Sequence, residues 1–353
     1  MAYQLNEKLV NLIPYEPISG DYPVRLDANE SFVRPPEELL EIMGKAAAEA
    51  TVNRYPDPYA QRLCSAFAAY YGISPDLVTA GNGSDELISV IMSAFPMKGA
   101  KILTLEPDFS MYRFYTNIAE CPNHVVTKSK DFRIDIEEMI SCIQKENIKI
   151  VIFSNPCNPT SVGVSAQEVY KLLENTDALV VLDEAYMDFW SESLLHDVQK
   201  YDNLIILRTC SKAVGLAALR VGFAVANQKL TNAMRAVKSP YNVNSVSQAM
   251  AAVVFEHPRY LKDALSKILA SRDVLLEEMK KLESAFPSRI CVTDTVTNFI
   301  FVRFGNAKGL FEFLKEKGIV VRHMGDYLRI TAGTAEENKQ VIARIRAFMD
   351  MEA

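Results

Sequence analysis

Three apolar runs that each stop abruptly on polar residues constrain this chain more than any other feature. Residues Lys149 to Phe153 run into Ser154-Asn155-Pro156-Cys157-Asn158-Pro159-Thr160, and Ala178 to Leu182 into Asp183-Glu184-Ala185-Tyr186. Leu204 to Leu207 lead to Thr209-Cys210-Ser211-Lys212. Short continuous apolar runs of this kind read as strands buried on both faces. Between such runs lie amphipathic segments, Pro36 to Ala50, Ala60 to Tyr71, Asp85 to Ala94, Ile136 to Glu146 and Ala166 to Asn175, which read as helices. That alternation predicts an α/β fold, a mostly parallel mixed sheet sheathed by helices. In open sheets of this class ligands sit beyond the carboxyl ends of the strands, where the three polar clusters fall.

The chain divides by pattern into an N-terminal arm (1–28), a large domain (29–257), and a unit of 258–353. The last begins with a long helix from Pro258 to about Leu282, apolar at Leu261, Leu265, Ile268 and Leu269, that joins the large domain to a small α+β domain. Strands there are expected around Cys291-Val292, Asn298 to Val302, Val320 and Leu328 to Ile330, with helices Leu310 to Lys317 and from Ala335.

Lys212 follows hydroxyl residues at the end of a buried run, and Arg220 lies eight positions later. An amine suits imine formation, and hydroxyls with a guanidinium suit a phosphate, so the cluster fits a phosphorylated aldehyde cofactor. The competing reading is a loop lysine in water. Gly83-Ser84-Asp85 precedes an apolar helix, where free backbone N–H groups favour an anion; Asp85 also fits as an ordinary first-turn acid.

These residues resemble a family. Asn158-Pro159-Thr160, Asp183 with Tyr186, and Ser211-Lys212 followed by Arg220 are similar to the fold type I pyridoxal-phosphate aminotransferases, specifically the histidinol-phosphate aminotransferase group. Further matches are Asp27-Ala28-Asn29-Glu30, Arg54-Tyr55-Pro56-Asp57, Gly81 to Glu86, Pro107 with Tyr112, and Tyr327 to Thr331. The resemblance spans residues 24 to 335 and implies pyridoxal 5'-phosphate held as a covalent imine (the internal aldimine) on Lys212, which then serves as proton carrier. It implies that Asp183 keeps a proton on the pyridine nitrogen, that Tyr186 and Asn158 hydrogen-bond the ring's phenolic oxygen, and that Tyr112 stacks on the ring. The phosphate would rest on Gly83, Ser84, Asp85, Thr209, Ser211 and Arg220. Tyr55 would reach the neighbouring subunit's phosphate, giving a homodimer with shared sites. Three of these positions have a plainer alternative: a helix cap for Asp183, a turn residue for Asn158, core for Tyr112.

On the substrate side the resemblance implies Asn29, Arg322 and Arg329, the last two being cations suited to a dianion; surface strand arginines are the alternative. The implied reaction is L-histidinol phosphate plus 2-oxoglutarate giving imidazole acetol phosphate and L-glutamate, by two half-reactions. A threonine-phosphate decarboxylase, an aromatic amino acid aminotransferase and a non-catalytic regulatory module that binds the cofactor are the alternatives. The chain departs from the family at Ser31 to Pro36, in the short connection between Arg322 and Arg329, and after Pro159-Thr160, where the usual glycine is displaced by Ser161-Val162-Gly163.

Length and composition fit a two-domain enzyme. A net charge of -6 argues against a nucleic-acid partner held by bulk electrostatics. Six cysteines without short paired spacing and four histidines give no metal pattern and suggest reduced thiols. The start of the chain lacks the pattern of a signal peptide, and no apolar run reaches spanning length, so no membrane contact and a cytoplasmic location are expected.

Overall fold

The computed structural model describes residues 3–351 apart from residues 11 and 15. Its centre is a seven-stranded sheet in the order Val78–Gly81, Gly222–Ala226, Leu204–Thr209, Leu179–Asp183, Ile148–Ser154, Lys101–Glu106, Asn123–Thr127. All pairings are parallel except those of Gly222–Ala226, which runs against both neighbours. The predicted strands are present with their ends moved by one or two residues, because each polar terminus still completes a backbone ladder: Ser154 pairs with Asp183, and Asp183 with Leu207.

Both faces of the sheet are buried. One packs Leu103, Val151, Phe153, Val180, Leu182 and Ile206 against helices, including Gln61–Tyr71, Ile136–Glu146 and Ala166–Glu174. The other packs Ile102, Ile150, Ile152, Val181 and Ile205 against Ser84–Ala94 and Met111–Ile118. The helices expected at Pro36 and Ala60 begin one residue later, at Glu37 and Gln61. Helices Met111–Ile118, Gln228–Val237 and Ser245–Phe255 lie where the sequence reading named none; the last is apolar on most sides and so carries little 3.6-residue periodicity.

A second core surrounds a four-stranded antiparallel sheet, ordered Arg322–Met324, Tyr327–Thr331, Phe299–Phe304, Ile290–Val292, with helices Ala307–Glu316 and Ala335–Met351. Val24 and Leu26, from the segment read as an arm, are buried in it, and strand Val24–Arg25 pairs in parallel with Ile319–Val320. The 28-residue helix Pro258–Ala285 bridges the two units: Leu261 belongs to the large core, Ile268 to the seam, and Leu275, Met279 and Leu282 to the small core. Among the described residues no helix is long and apolar enough to cross a membrane, and the six cysteines are free.

Candidate active site

The carboxyl ends of the parallel strands converge at the seam between the units, and the side chains there are organised around Lys212 and Asp183. Lys212 leaves the end of the Leu204–Thr209 strand and donates to the Ala28 carbonyl at 2.8 Å. Burial, then repulsion from Arg329, lowers its pKa to about 8. An amine so placed is partly unprotonated near neutrality, which a solvated lysine is not.

Asp183 ends its strand with 4% of its surface exposed. Tyr112 donates its hydroxyl to Asp183 Oδ2 at 2.7 Å and the Ala185 N–H donates to Oδ1 at 3.0 Å. Burial outweighs those donors and raises the carboxyl to about 6. Among the described residues this carboxylate has no cation in contact.

Two glycines shape the anion cradle. Helix Ser84–Ala94 starts on Gly83, whose φ of +83° is the left-handed range that glycine tolerates. A β-carbon there would lie 2.7 Å from Arg220 Nη2, and one at Gly222 would lie 2.3 Å from the Ser84 nitrogen. Glycine at both positions lets the antiparallel strand and the Arg220 guanidinium press against the helix start. Arg220 itself is left-handed (φ 52°) and donates to Ser211 Oγ at 3.3 Å. Thr209 Oγ1 accepts from the Ser211 N–H at 3.1 Å, so the two hydroxyls and the guanidinium share one rim with the helix N-terminus. Asp85 faces sideways, its carboxylate accepting from Tyr115 at 3.0 Å; only its backbone N–H is left for an anion.

Above Asp183, Tyr186 accepts from Asn29 Nδ2 at 2.9 Å, which leaves the tyrosine hydrogen free to donate. Asn158 Oδ1 accepts from Arg329 Nη1 at 2.5 Å, leaving the amide hydrogens of Asn158 as donors. Arg329 also donates to the Asp27 carbonyl. Arg322 stands directly opposite Arg329 in the antiparallel register, across a tight turn at Gly325. The short connection singled out in the sequence thus sets two cations side by side on neighbouring strands.

The family description "Aminotransferase class I and II" matches residues 22–345 of this chain. This chain belongs to that family. It is 40% identical over 338 residues to the histidinol-phosphate aminotransferase of Clostridium novyi (strain NT), covering 94% of each chain. With the protein of the same name from Thermoanaerobacter pseudethanolicus it is 36% identical over 98% of each. Among solved structures, histidinol-phosphate aminotransferase from Sinorhizobium meliloti in complex with pyridoxal-5'-phosphate superposes with a TM-score of 0.82, at 24% identity over 93% of this chain and 92% of that one. L-Threonine-O-3-phosphate decarboxylase from Porphyromonas gingivalis does so at 0.79, with 22% identity over 93% of this chain and 99% of that one. The fold is common to both activities.

One sequence expectation for this aminotransferase needs correction. Tyr112 cannot stack on a ring in the site, because its ring is buried among Leu87, Ile88 and Ile152 and its hydroxyl is committed to Asp183. The partly exposed aromatic at this point is Phe109, edge-on to Tyr112 at 5.5 Å between centroids. Asn29 is 1% exposed, its amide donating to Tyr186 and its Oδ1 accepting from Thr331 Oγ1 at 3.1 Å. Tyr55 lies outside the cluster, 79% exposed and stacked on Tyr241 at 4.4 Å. Lys212, Asp183, Tyr186, Asn158 and Arg329 meet at the seam, and Gly83, Ser84, Thr209, Ser211 and Arg220 form the cradle. The sequence reading passed over Asp108 and Ser154. Ser154 Oγ donates to Asp108 and accepts from the Asn158 N–H at 3.2 Å, fixing the loop that carries Asn158. Asp108 in turn faces buried Lys128 at 3.5 Å. Their only sequence signal was position, at the ends of apolar runs.

Proposed function

We propose that this aminotransferase moves the amino group of L-histidinol phosphate to 2-oxoglutarate, with pyridoxal 5'-phosphate bound covalently through Lys212. The observation that carries the substrate is similarity along nearly the whole chain, at 36–40% identity, to relatives named histidinol-phosphate aminotransferase. The facing arginines 322 and 329 support it, since a phosphate ester and the oxo acid are both multiply anionic. When bound, the cofactor supplies an electron sink for charge developing at the substrate α-carbon.

The residues present fit that cofactor. Arg220, Ser211, Thr209 and the N–H groups from Ser84 would hold its phosphate. Asp183, a buried carboxylate lacking a cation, would hold the ring nitrogen's proton. Tyr186 and the Asn158 amide would donate to the ring's oxygen. Lys212, lowered to about 8, would take the proton from the substrate α-carbon as free base and return it one position away. Arg329 would clamp the anionic end of each substrate in turn, exchanging its bond to Asn158 for one to the ligand. Exposed Tyr55 is proposed to reach the phosphate cradle of a second copy, making the enzyme a homodimer with shared sites.

The test is a single-turnover absorbance titration of the cofactor-loaded protein with L-histidinol phosphate. Conversion of the bound cofactor to its amine form, reversed by 2-oxoglutarate, is expected. Carbon dioxide release from L-threonine phosphate without that reversible conversion would replace the reading with the decarboxylase one.

A further inference from the structure

The substituted glycine position after Pro159-Thr160 turns out to be a mechanical feature. Ser161 is fully buried and left-handed, with φ 65°, a conformation that costs a non-glycine residue and persists only where its surroundings enforce it. Its hydroxyl is held from the other unit. Ser161 Oγ is hydrogen-bonded to Thr297 Oγ1 at 2.7 Å and to Thr295 Oγ1, and accepts from the Val296 N–H at 3.1 Å. The Val296 N–H also lies 3.3 Å from the Ser161 carbonyl.

Both ends of this contact lead to the site. Ser161 closes the turn begun at Cys157, its N–H donating to the Cys157 carbonyl at 2.8 Å, and that turn carries Asn158. Thr297 is two residues ahead of strand Phe299–Phe304, in which Phe301 pairs with Arg329. A second seam contact has the same form. Phe132, also left-handed at φ 60°, sets its ring edge-on to the stacked pair Phe301 and Tyr327, 5.6 and 5.5 Å away between centroids. Two left-handed non-glycine residues of the large unit thus meet the small unit side by side: Ser161 holds residues 295–297, which lead into strand Phe299–Phe304, and Phe132 contacts Phe301 of that strand and Tyr327 of its partner, which carries Arg329.

We infer that Ser161 is a positioning residue for substrate binding: its hydroxyl ties the Asn158 turn to the segment 295–297 that leads into the strand paired with Arg329, and so fixes the spacing of those two groups. The inference rests on the reading of Arg329 as the anion clamp. Glycine would adopt the same backbone at less cost, but without the hydroxyl the two units would be joined less firmly at this point.

The test compares Ser161→Gly, Ser161→Ala, Thr297→Val and the hydroxyl-retaining Thr297→Ser in the cofactor-loaded enzyme, with two readouts. Hydrogen exchange at the Val296 amide is expected to quicken roughly five- to tenfold in both Ser161 variants, as for loss of one neutral hydrogen bond. KM for 2-oxoglutarate is expected to rise by a similar factor in the Ser161 variants and in Thr297→Val with kcat within about twofold, and Thr297→Ser should restore it. If Ser161→Gly matches the parent in KM, the hydroxyl has no positioning role and the inference falls, even with faster exchange at Val296. Unchanged exchange at Val296 overturns the contact itself. Failure of the parent enzyme to transaminate would instead overturn the preceding reading, and is told apart because it appears without any substitution.

Discussion

Asp183 and Glu184 are consecutive, both buried, and built into opposite kinds of electrostatics. Glu184 faces Arg208, whose guanidinium lies 3.1 Å from it and 2.9 Å from Asp188, with Ser193 and the Leu194 N–H completing the carboxylate's contacts. Tyr71 covers the guanidinium at 5.0 Å. Every charge there has a partner, and the two carboxylates raise the arginine's pKa despite burial. Burial pushes the Glu184 carboxyl up as well, but against an arginine in contact; Asp183 and Lys212, on the site side, have no opposite charge in contact among the described residues, and burial drives the acid up to about 6 and the amine down to about 8. Paired charges hold structure, whereas charges left without partners await a ligand's.

The largest expected effect is on the site side. Lys212→Ala should lower turnover by about three orders of magnitude or more, the scale of a lost base and covalent anchor, measured as single-turnover rate. Residual activity near the parent value would move the base to another residue. Asp183→Asn should cost roughly a hundred- to a thousandfold in kcat/KM, of the order of other preorganised electrostatic contacts.

The same Asp183→Asn protein sharpens the contrast through stability. An acid raised to about 6 when folded binds more protons in the native than in the unfolded state between about pH 4 and 6, so stability falls as pH rises through that window. The cofactor-free variant should therefore be more stable than its parent near neutrality, by on the order of 3 kcal/mol, with the gain vanishing below about pH 4. Urea unfolding at both pH values measures this. A variant less stable at neutral pH would mean the carboxylate is well accommodated after all.

On the structural side, Arg208→Met should leave buried Glu184 and partly buried Asp188 without their cation and destabilise the fold by about 3–5 kcal/mol. Activity per folded molecule should be nearly unchanged. A kcat loss at temperatures where the variant is folded would show that this network also shapes the site.

The smallest effect is a shift in pH. The rate of cofactor attachment to cofactor-free protein should climb with pH and level off above about 8, because the unprotonated amine is the reactive form and burial has lowered its pKa. A climb continuing toward about 10.4, the value of a solvated lysine, would contradict the burial. Arg329→Met should move the plateau upward by removing a neighbouring cation.

The sheet was legible because fully buried strands read as unbroken apolar runs, and the candidate residues stood out because they end those runs. Lys212, Asp183 and the Gly83 cradle all sit at such ends. What escaped depended on facing and on distance across the seam. Tyr112 and Phe109 are three apart on one helical approach, and the sequence does not say which turns to the pocket. Asn29 is a polar residue whose partners, Tyr186 and Thr331, are far along the chain. Ser161 looked like a displaced glycine because its partners lie more than a hundred residues away.

The most direct measurement is borohydride reduction of the protein loaded with pyridoxal phosphate, followed by peptide mass mapping. A pyridoxyl group found on Lys212, and absent in Lys212→Ala, is the result expected. Attachment to another lysine, such as buried Lys128 or Lys238, or to none, would contradict the central assignment.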